Sequence, residues 1–478
     1  MRNESRNSRP KLSVVLVVIG LLAIACGGDQ QGSTESASPN PSTEEVVSSS
    51  GAVSEPDESV SSSTAPPTSA TPVPSTSLPE PIDEFDDFTD PETLERLWGV
   101  VFDRSPEGLA TDAQIAQMQE LGIGYAKFWV PWNETEPELA AYNATSSEFG
   151  IAGDSQPTEL TRDLLAANPE WVEEYAFPER PDSRFHDLID WSRLDAQVNQ
   201  LVAAGITPLP LIADATTAPW ITDVDGRAKI APEPLDFRGE TGPGNTFTGV
   251  GTEAYLAHVE LYAAAAARRY SESPNRITWW NLENELNLAH LHVQVFGWRT
   301  GDVWLDDAFR TELLETLSRG LKLGSPNALA THNVSFHDPN WAEDLVRYAG
   351  SLDALGLGGY PNYLSPVPLN TEMLIDAVET ASALGKQLGK PVFVLETGNP
   401  SGPVSGGWNE ELQAEYVSIA PVDALNAGAV GYIHFLLNDR DWDNPEGDLQ
   451  QVEIHWGLVR VDGTYKSSFK NFQDVISD

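Results

Sequence analysis

Eight short apolar runs alternate with stretches of helical periodicity, and this alternation constrains the fold of the chain more than any other feature. The runs are apolar on both faces, which is typical of parallel strands that are covered by helices on both sides. They span residues 98–102, 124–130, 206–212, 277–283, 328–334, 353–359, 391–396 and 429–435. Eight strand–helix units predict an α/β fold and favour a closed (β/α)8 TIM barrel over an open doubly wound sheet.

The stretches between the runs carry apolar residues at the spacing of one helix face. The clearest are residues 112–121, 193–204 and 252–270. Thr111 and Gln114 have the three-residue spacing of a capping box at the start of the first of these helices. These stretches supply the helices that a parallel barrel needs between its strands.

The first residues predict a secreted lipoprotein. Four basic residues precede an apolar run over residues 12–25, which is shorter than the roughly 20 residues that span a membrane. Residues 1–25 are therefore a predicted signal peptide, and residues 22–28 resemble a bacterial lipobox with Cys26 as the lipidated residue. The alternative is an ordinary cleaved signal followed by an incidental cysteine. Cys26 is the only cysteine, which excludes an internal disulfide.

Composition divides the remaining chain into two parts. Residues 26–82 are dominated by Ser, Thr, Pro and Glu and have too few large apolar side chains for a core, so they predict a disordered tether. Residues 83–478 are long enough for the barrel. The formal net charge of −44 disfavours nucleic acid as a partner.

Two glutamates lie at the ends of apolar runs. Glu285 follows the fourth run, and Glu396 ends the seventh. A carboxylate beside a buried strand is costly unless it is paired, hydrogen-bonded or catalytic, and barrel enzymes take their catalytic residues from the carboxyl ends of strands. Two such carboxyls predict the acid and the nucleophile of a sugar-cleaving enzyme. Glu283 lies two residues before Glu285, on the same side of a regular strand, and is expected to pair with a basic residue inside the barrel.

Residues 95–475 resemble the clan A glycoside hydrolases, a superfamily of retaining (β/α)8 enzymes with one glutamate after strand four and another after strand seven. The resemblance rests on several short motifs. They are Asn284-Glu285, Glu396, Tyr360-Pro361, Phe128-Trp129-Val130-Pro131-Trp132 with Glu136-Pro137, the segment from Asp190 to Asp195, and Gly205-Ile206.

The resemblance implies roles for individual residues. It makes Glu396 the nucleophile, Glu285 the acid/base, Asn284 a donor to the sugar 2-hydroxyl, and Tyr360 a donor to Glu396. Lys127 stands near the place where relatives have an arginine, so no positioning cation is assigned in strand two.

Aromatic residues and histidines near strand ends are further candidates for substrate binding. Trp132, Trp220 and Trp442 are predicted to stack on sugar faces, and the alternative for each is packing between barrel and helices. His434, where relatives usually have tryptophan, and His332 are predicted to contact substrate, against the alternative of a structural histidine.

Together these features predict a lipid-anchored, extracytoplasmic retaining β-glycosidase that acts on an oligo- or polysaccharide. The implied mechanism uses no cofactor, and the histidines lack the spacing of a metal site. Two alternatives remain: a catalytically inactive glycan-binding barrel lipoprotein, and a transglycosylase that uses the same residues.

Overall fold

Eight parallel strands close into one barrel in chain order. The computed structural model describes residues 97–104, 109–130, 132–135, 161–183, 185–186, 189–212, 252–290, 302–363, 365–441 and 448–477. The strands are β1 (Leu97–Val101), β2 (Tyr125–Val130), β3 (Thr207–Ile212), β4 (Trp279–Asn284), β5 (Leu329–Ser335), β6 (Leu355–Gly358), β7 (Val392–Thr397) and β8 (Gly431–His434). The predicted (β/α)8 barrel is confirmed, and every predicted strand end lies within two residues of the observed one.

Helices follow the strands around the outside of the barrel. They are α1 (Asp112–Leu121), α2 (Trp132–Thr135), α3 (Arg162–Ala167), α4 (Glu170–Ala176), α5 (Ser192–Ala203), α6 (Thr252–Arg269), α7 (Asp307–Gly324), α8 (Trp341–Tyr348), α9 (Glu372–Leu388), α10 (Glu410–Asn426), α11 (Asp448–Glu453) and α12 (Ser467–Ser477). The predicted capping box at α1 is present: the Thr111 hydroxyl accepts from the Gln114 backbone N–H, and the Gln114 side chain accepts from the Thr111 backbone N–H.

The hydrophobic core has two layers that the strands separate. In β7, Val392 and Val394 pack in the outer layer, between the barrel and its helices. Phe393 and Leu395 alternate with them and pack inside the barrel. Side chains of successive strand residues point to opposite faces, so each strand contributes to both layers. The packed interior leaves functional side chains room only at the ends of the barrel.

The predicted N-terminal segments lie outside the described residues. These are the signal peptide of residues 1–25, the lipidation site Cys26 and the tether of residues 26–82. Within the ranges given above, no helix has the length and apolar character needed to cross a bilayer.

Candidate active site

Strand β4 carries an irregularity just before its catalytic candidate. Its pairing with β5 runs from Asn281 opposite Thr331 to Asn284 opposite Asn333, so three steps on β4 match two on β5. Such an extra residue is a β-bulge, which bends the strand and redirects the side chains that follow. The simple alternation that predicted Glu283 and Glu285 on one side of the strand is therefore interrupted.

The backbone at this bulge is in an unusual conformation. Glu283 has a φ of 52° and Glu285 a φ of 43°, in the left-handed region where side chains other than glycine are disfavoured by about 1–3 kcal/mol. Both side chains are buried. Backbone conformations of this cost are found mainly where surrounding structure and function require them.

Asn284 is held by a row of amide side chains. The Asn333 Nδ2 donates to Asn284 Oδ1 at 2.7 Å, and the Asn281 Nδ2 donates to Asn333 Oδ1 at 3.2 Å. All three residues are buried. The amide plane of Asn284, the predicted partner of the sugar 2-hydroxyl, is thus fixed by contacts from the neighbouring strand.

Glu396 is held from two sides. The Lys127 Nζ lies 2.9 Å from Glu396 Oε2, and the Tyr360 hydroxyl donates to Glu396 Oε1. The lysine is 0% exposed and the glutamate 1%. The predicted contact between Tyr360 and Glu396 is therefore present, and both carboxylate oxygens have a donor.

A bulge in β7 turns Glu396 into the barrel. The pairing of β7 with β6 passes from Val394 opposite Leu357 to Glu396 opposite Gly358, which leaves Leu395 as the extra residue. Because Leu395 already packs inside the barrel, a regular strand would point Glu396 outward at the helices. The bulge places both residues on the inner side.

Gly358 is next to both predicted catalytic carboxyls. It pairs with Glu396 in the sheet, where neighbouring strands lie about 4.8 Å apart. A Cβ on Gly358 would lie 3.7 Å from Glu285 Oε1 and 3.3 Å from Asn333 Nδ2. The Glu285 side chain thus extends from β4 past β5 to β6, which brings it to the strand beside Glu396.

Sequence reasoning missed Lys127 as a site residue. It alternates with Tyr125 and Trp129, which pack inside the barrel, and its Nζ also donates to the Leu395 carbonyl at 3.3 Å. Lysine is almost never fully buried without a partner. A lysine at an inward position of a core strand was the available signal, and it indicates a carboxylate across the barrel.

His337 was also missed. Its Nε2 accepts a hydrogen bond from the backbone N–H of Tyr360 at 2.8 Å. Burial lowers the pKa of His337 to about 4, so the ring is neutral near pH 7 and its Nε2 is free of a proton. This contact fixes the backbone of the tyrosine that donates to Glu396.

Four rings pack beside Glu396 and form what we call the aromatic cluster: Tyr360, Tyr363, Phe435 and Trp456. The Trp456 ring centroid lies 4.7 Å from that of Tyr360, and both Phe435 and Tyr363 lie 5.8 Å from Trp456. All four rings are buried. The rings therefore pack on one another and surround Tyr360, the residue that donates to Glu396.

His434 is not part of this site. Its ring lies 5.4 Å from that of Phe472 in α12, in the outer layer, and burial followed by the charge of Lys466 lowers its pKa to about 3. Because strand residues alternate, Ile433 and Phe435 point inward and His434 points outward. The prediction of a substrate contact was wrong by one position, and Phe435 occupies the inner place.

His332 likewise lies on the outer side of its strand. Its ring packs edge-on against Tyr348 of α8 at 5.6 Å, and its Nδ1 is 2.6 Å from the Leu282 carbonyl oxygen. The structural alternative therefore describes this histidine, and the predicted substrate contact is not supported.

Trp132 packs in the outer layer as well. It lies in α2 and stacks on Tyr262 of α6, with ring centroids 5.2 Å apart and an interplanar angle of 23°. The packing alternative describes this tryptophan, because a ring in the outer layer does not line the barrel mouth. Trp220 and Trp442 lie outside the described residues.

The site offers carboxyls, a lysine and aromatic rings. Across the described ranges, no group of three or more His, Cys, Asp or Glu side chains is arranged to hold a metal ion.

Comparison with known proteins finds similar solved structures. No protein-family model and no curated protein sequence matches the chain. A hyperthermophilic β-glucosidase mutant is similar with a TM-score of 0.54 at 13% identity, over 79% of this chain and 98% of that one. A GH5_18 protein from Streptomyces cattleya, in complex with GlcNAc, has a TM-score of 0.51 at 14% identity and 80% coverage of each chain.

An exo-β-1,4-mannosidase from an Opitutaceae bacterium is also similar, with a TM-score of 0.50 at 16% identity. The match covers 79% of this chain and 59% of the mannosidase, so it spans less than two thirds of that relative. These likenesses establish the fold. The protein has a TIM-barrel fold, which these similar structures share.

Proposed function

We propose that the protein is a retaining β-glycosidase with Glu396 as nucleophile and Glu285 as acid/base. The proposal rests on the surroundings of Glu396. It is buried at the carboxyl end of β7, bound by Lys127 and Tyr360, and paired in the sheet with the glycine that Glu285 approaches. A retaining mechanism needs two carboxyls about 5–5.5 Å apart across the glycosidic bond.

In the first step, a Glu396 oxygen attacks the anomeric carbon while Glu285 gives its proton to the leaving oxygen. The glycosidic bond breaks and a glycosyl ester forms on Glu396. In the second step, Glu285 takes a proton from water, and that water displaces the sugar from Glu396. Both carboxyls return to their starting state, so the cycle balances without a cofactor.

Lys127 and Tyr360 suit the second step in particular. When water displaces the sugar, the departing group is the Glu396 carboxylate. A buried ammonium and a hydroxyl already on its two oxygens stabilise that returning negative charge without reorganisation. Asn284, fixed by Asn333, is the proposed donor to the sugar 2-hydroxyl, an interaction that strengthens in the transition state.

Turnover of aryl β-glycosides tests the proposal. Glu396→Ala and Glu285→Gln are each expected to reduce turnover about 10²- to 10⁴-fold, and azide is expected to restore the Glu285 variant on an activated substrate. Glu260→Gln is the matched control, because Glu260 is also buried but pairs with Arg319 in the outer helices. Unchanged rates in both site variants would reject the proposal.

The substrate panel follows from the chemistry and from the similar structures. Aryl β-mannosides and aryl β-glucosides match the activities named for two of those structures. Aryl β-galactosides and β-linked polysaccharides widen the panel. Glycan binding with no turnover on any of them would favour a binding protein. Transfer to added sugars in competition with water would instead favour a transglycosylase.

The proposed location is outside the cytoplasm, on a lipid anchor at Cys26. Support comes from the sequence alone, through the basic start, the apolar run and the lipobox-like residues 22–28. Metabolic labelling with a radioactive fatty acid is expected to mark the wild-type chain and not Cys26→Ser. Equal labelling of both would contradict the anchor.

A further inference from the structure

A second tyrosine–glutamate pair lies beside the first. In the segment Tyr360-Pro361-Asn362-Tyr363, the Tyr360 hydroxyl donates to Glu396 and the Tyr363 hydroxyl donates to Glu453 at the end of α11. A turn joins the two tyrosines, because the Tyr363 backbone N–H donates to the Tyr360 carbonyl at 3.1 Å. The two pairs are therefore parts of one rigid unit.

The turn itself is tied down through Asn362. Its Oδ1 accepts from the Asn370 backbone N–H at 2.7 Å, and its Nδ2 donates to the Asn370 carbonyl at 3.1 Å. The Trp408 indole N–H donates to the Asn362 carbonyl at 3.1 Å. These bonds fix the backbone of the turn that carries both tyrosines.

Trp456 connects the two pairs through its ring. Its indole N–H donates to Glu453 Oε2 at 3.2 Å. The same ring stacks parallel to Tyr363, at an interplanar angle of 5°, and lies 4.7 Å from Tyr360. Glu453 thus holds, by one hydrogen bond each, two of the three rings against which Tyr360 packs in the aromatic cluster.

The ion pair of Glu453 with Arg440 is a long one. Glu453 is 0% exposed, and Arg440 Nη1 is 3.9 Å away, while the Arg440 guanidinium makes hydrogen bonds with Asp103. The pKa of Glu453 is raised to about 7: burial and the charge of Glu396 raise it, and Tyr363, Arg440 and Trp456 lower it. These are the charged and titratable groups that act on Glu453 within the part of the chain described.

We propose that Glu453 is a positioning residue of the catalytic centre: it fixes Tyr363 and Trp456, and these rings hold Tyr360 on Glu396. The effect of Glu453 on catalysis rests on the proposed function. Its hydrogen bonds to Tyr363 and Trp456 are independent of that function. Ionised Glu453 accepts from both donors. When Glu453 is protonated, one of its oxygens carries a hydrogen and is a weaker acceptor. One of the two rings is then held less firmly.

The sign of the pH effect follows from this difference. As pH rises through about 7, Glu453 ionises and both rings become held. Turnover of the wild type is therefore expected to rise relative to that of Glu453→Gln between pH 6 and pH 8. The quantity to measure is the wild-type rate divided by the Glu453→Gln rate, because the ionisation of Glu285 affects both rates alike and cancels in the ratio.

Kinetics form the first arm of the test. Glu453→Gln and Tyr363→Phe are each expected to lower kcat about 10- to 100-fold, the cost of a small misplacement of a catalytic group, with little change in KM. Glu260→Gln, the same chemical change at a buried glutamate in the outer layer, is expected to show a pH-independent ratio. Values of kcat equal to wild type in both site variants would overturn the proposal.

The indole N–H resonance of Trp456 forms the second arm and needs no substrate. It is assigned by its loss in Trp456→Phe. In the wild type, the resonance is expected to shift with a midpoint near pH 7, and in Glu453→Gln to stay constant. A Trp456 resonance with the same chemical shift in the wild type and in Glu453→Gln at every pH between 5.5 and 8.5 would refute the hold of Glu453 on Trp456, whether or not the protein hydrolyses glycosides.

Discussion

The ion pair between Lys127 and Glu396 yields the sharpest prediction on stability. The two groups are 2.9 Å apart and 0% and 1% exposed. Removal of one partner from a buried pair leaves the other charge in a medium of low dielectric constant and costs about 3–5 kcal/mol. Lys127→Met is therefore expected to reduce the free energy of unfolding by that amount and to lower turnover about 10²- to 10³-fold.

A double variant separates the loss of the pair from the loss of packing. Glu396→Gln alone leaves the ammonium buried without its anion, and it too is expected to be destabilising. In Lys127→Met/Glu396→Gln neither charge remains, so the double variant is expected to lose at least about 2 kcal/mol less than the sum of the single variants. Lys470→Met is the control, because Lys470 and Asp474 are 66% and 60% exposed and such pairs contribute under about 1 kcal/mol.

The assay is urea denaturation at pH 7, followed both by circular dichroism and by tryptophan fluorescence. The two transitions must coincide for a free energy to be extracted. Additive losses in the double variant, within about 0.5 kcal/mol, would refute the argument. They would mean that the two side chains contribute through packing and not through their mutual charge.

Three further predictions concern His434, Gly358 and Asn333. The pKa of His434 is lowered to about 3 in the folded protein, so below about pH 6.5 this histidine takes up a proton in the unfolded chain but not in the folded one. The free energy of unfolding therefore falls by about 2 kcal/mol between pH 7.5 and pH 5 in the wild type, relative to His434→Leu. Urea denaturation of both proteins at the two pH values measures this difference. Gly358→Ala would put a Cβ 3.3 Å from Asn333 Nδ2 and is expected to lower kcat about tenfold, whereas Gly350→Ala, with no atom within 4 Å, leaves kcat unchanged. Asn333→Ala releases Asn284 and is expected to lower kcat/KM about tenfold for an aryl β-glycoside but not for its 2-deoxy analogue; equal losses on both substrates would contradict this role.

The strands were predictable because their signal is local. A run that is apolar on both faces and flanked by helical periodicity indicates a covered parallel strand by itself. The contacts of the site are not local. Lys127 and Glu396 are 269 positions apart, and Tyr363 and Glu453 are 90 apart, so only the closed barrel brings them together.

His434 illustrates a second reason for failure. On a strand, an error of one residue moves a side chain to the opposite face of the sheet. The sequence predicted that His434 contacts substrate at the end of strand eight, but the inward ring there belongs to Phe435. A single position separates a residue of the site from one in the outer layer.

Glu396 points into the barrel although periodicity alone would place it outside. Phe393 and Leu395 pack inside the barrel, so a strict alternation of two assigns Glu396 to the helices. The bulge at Leu395 reverses this assignment, and no local pattern in the sequence marks it. What identified Glu396 was the cost of burying a carboxylate at the carboxyl end of a strand. Both β4 and β7 contain a bulge, so in each strand the side-chain alternation is broken next to a candidate carboxyl. The cost of burying a carboxylate at a strand end therefore predicts such a site where periodicity does not.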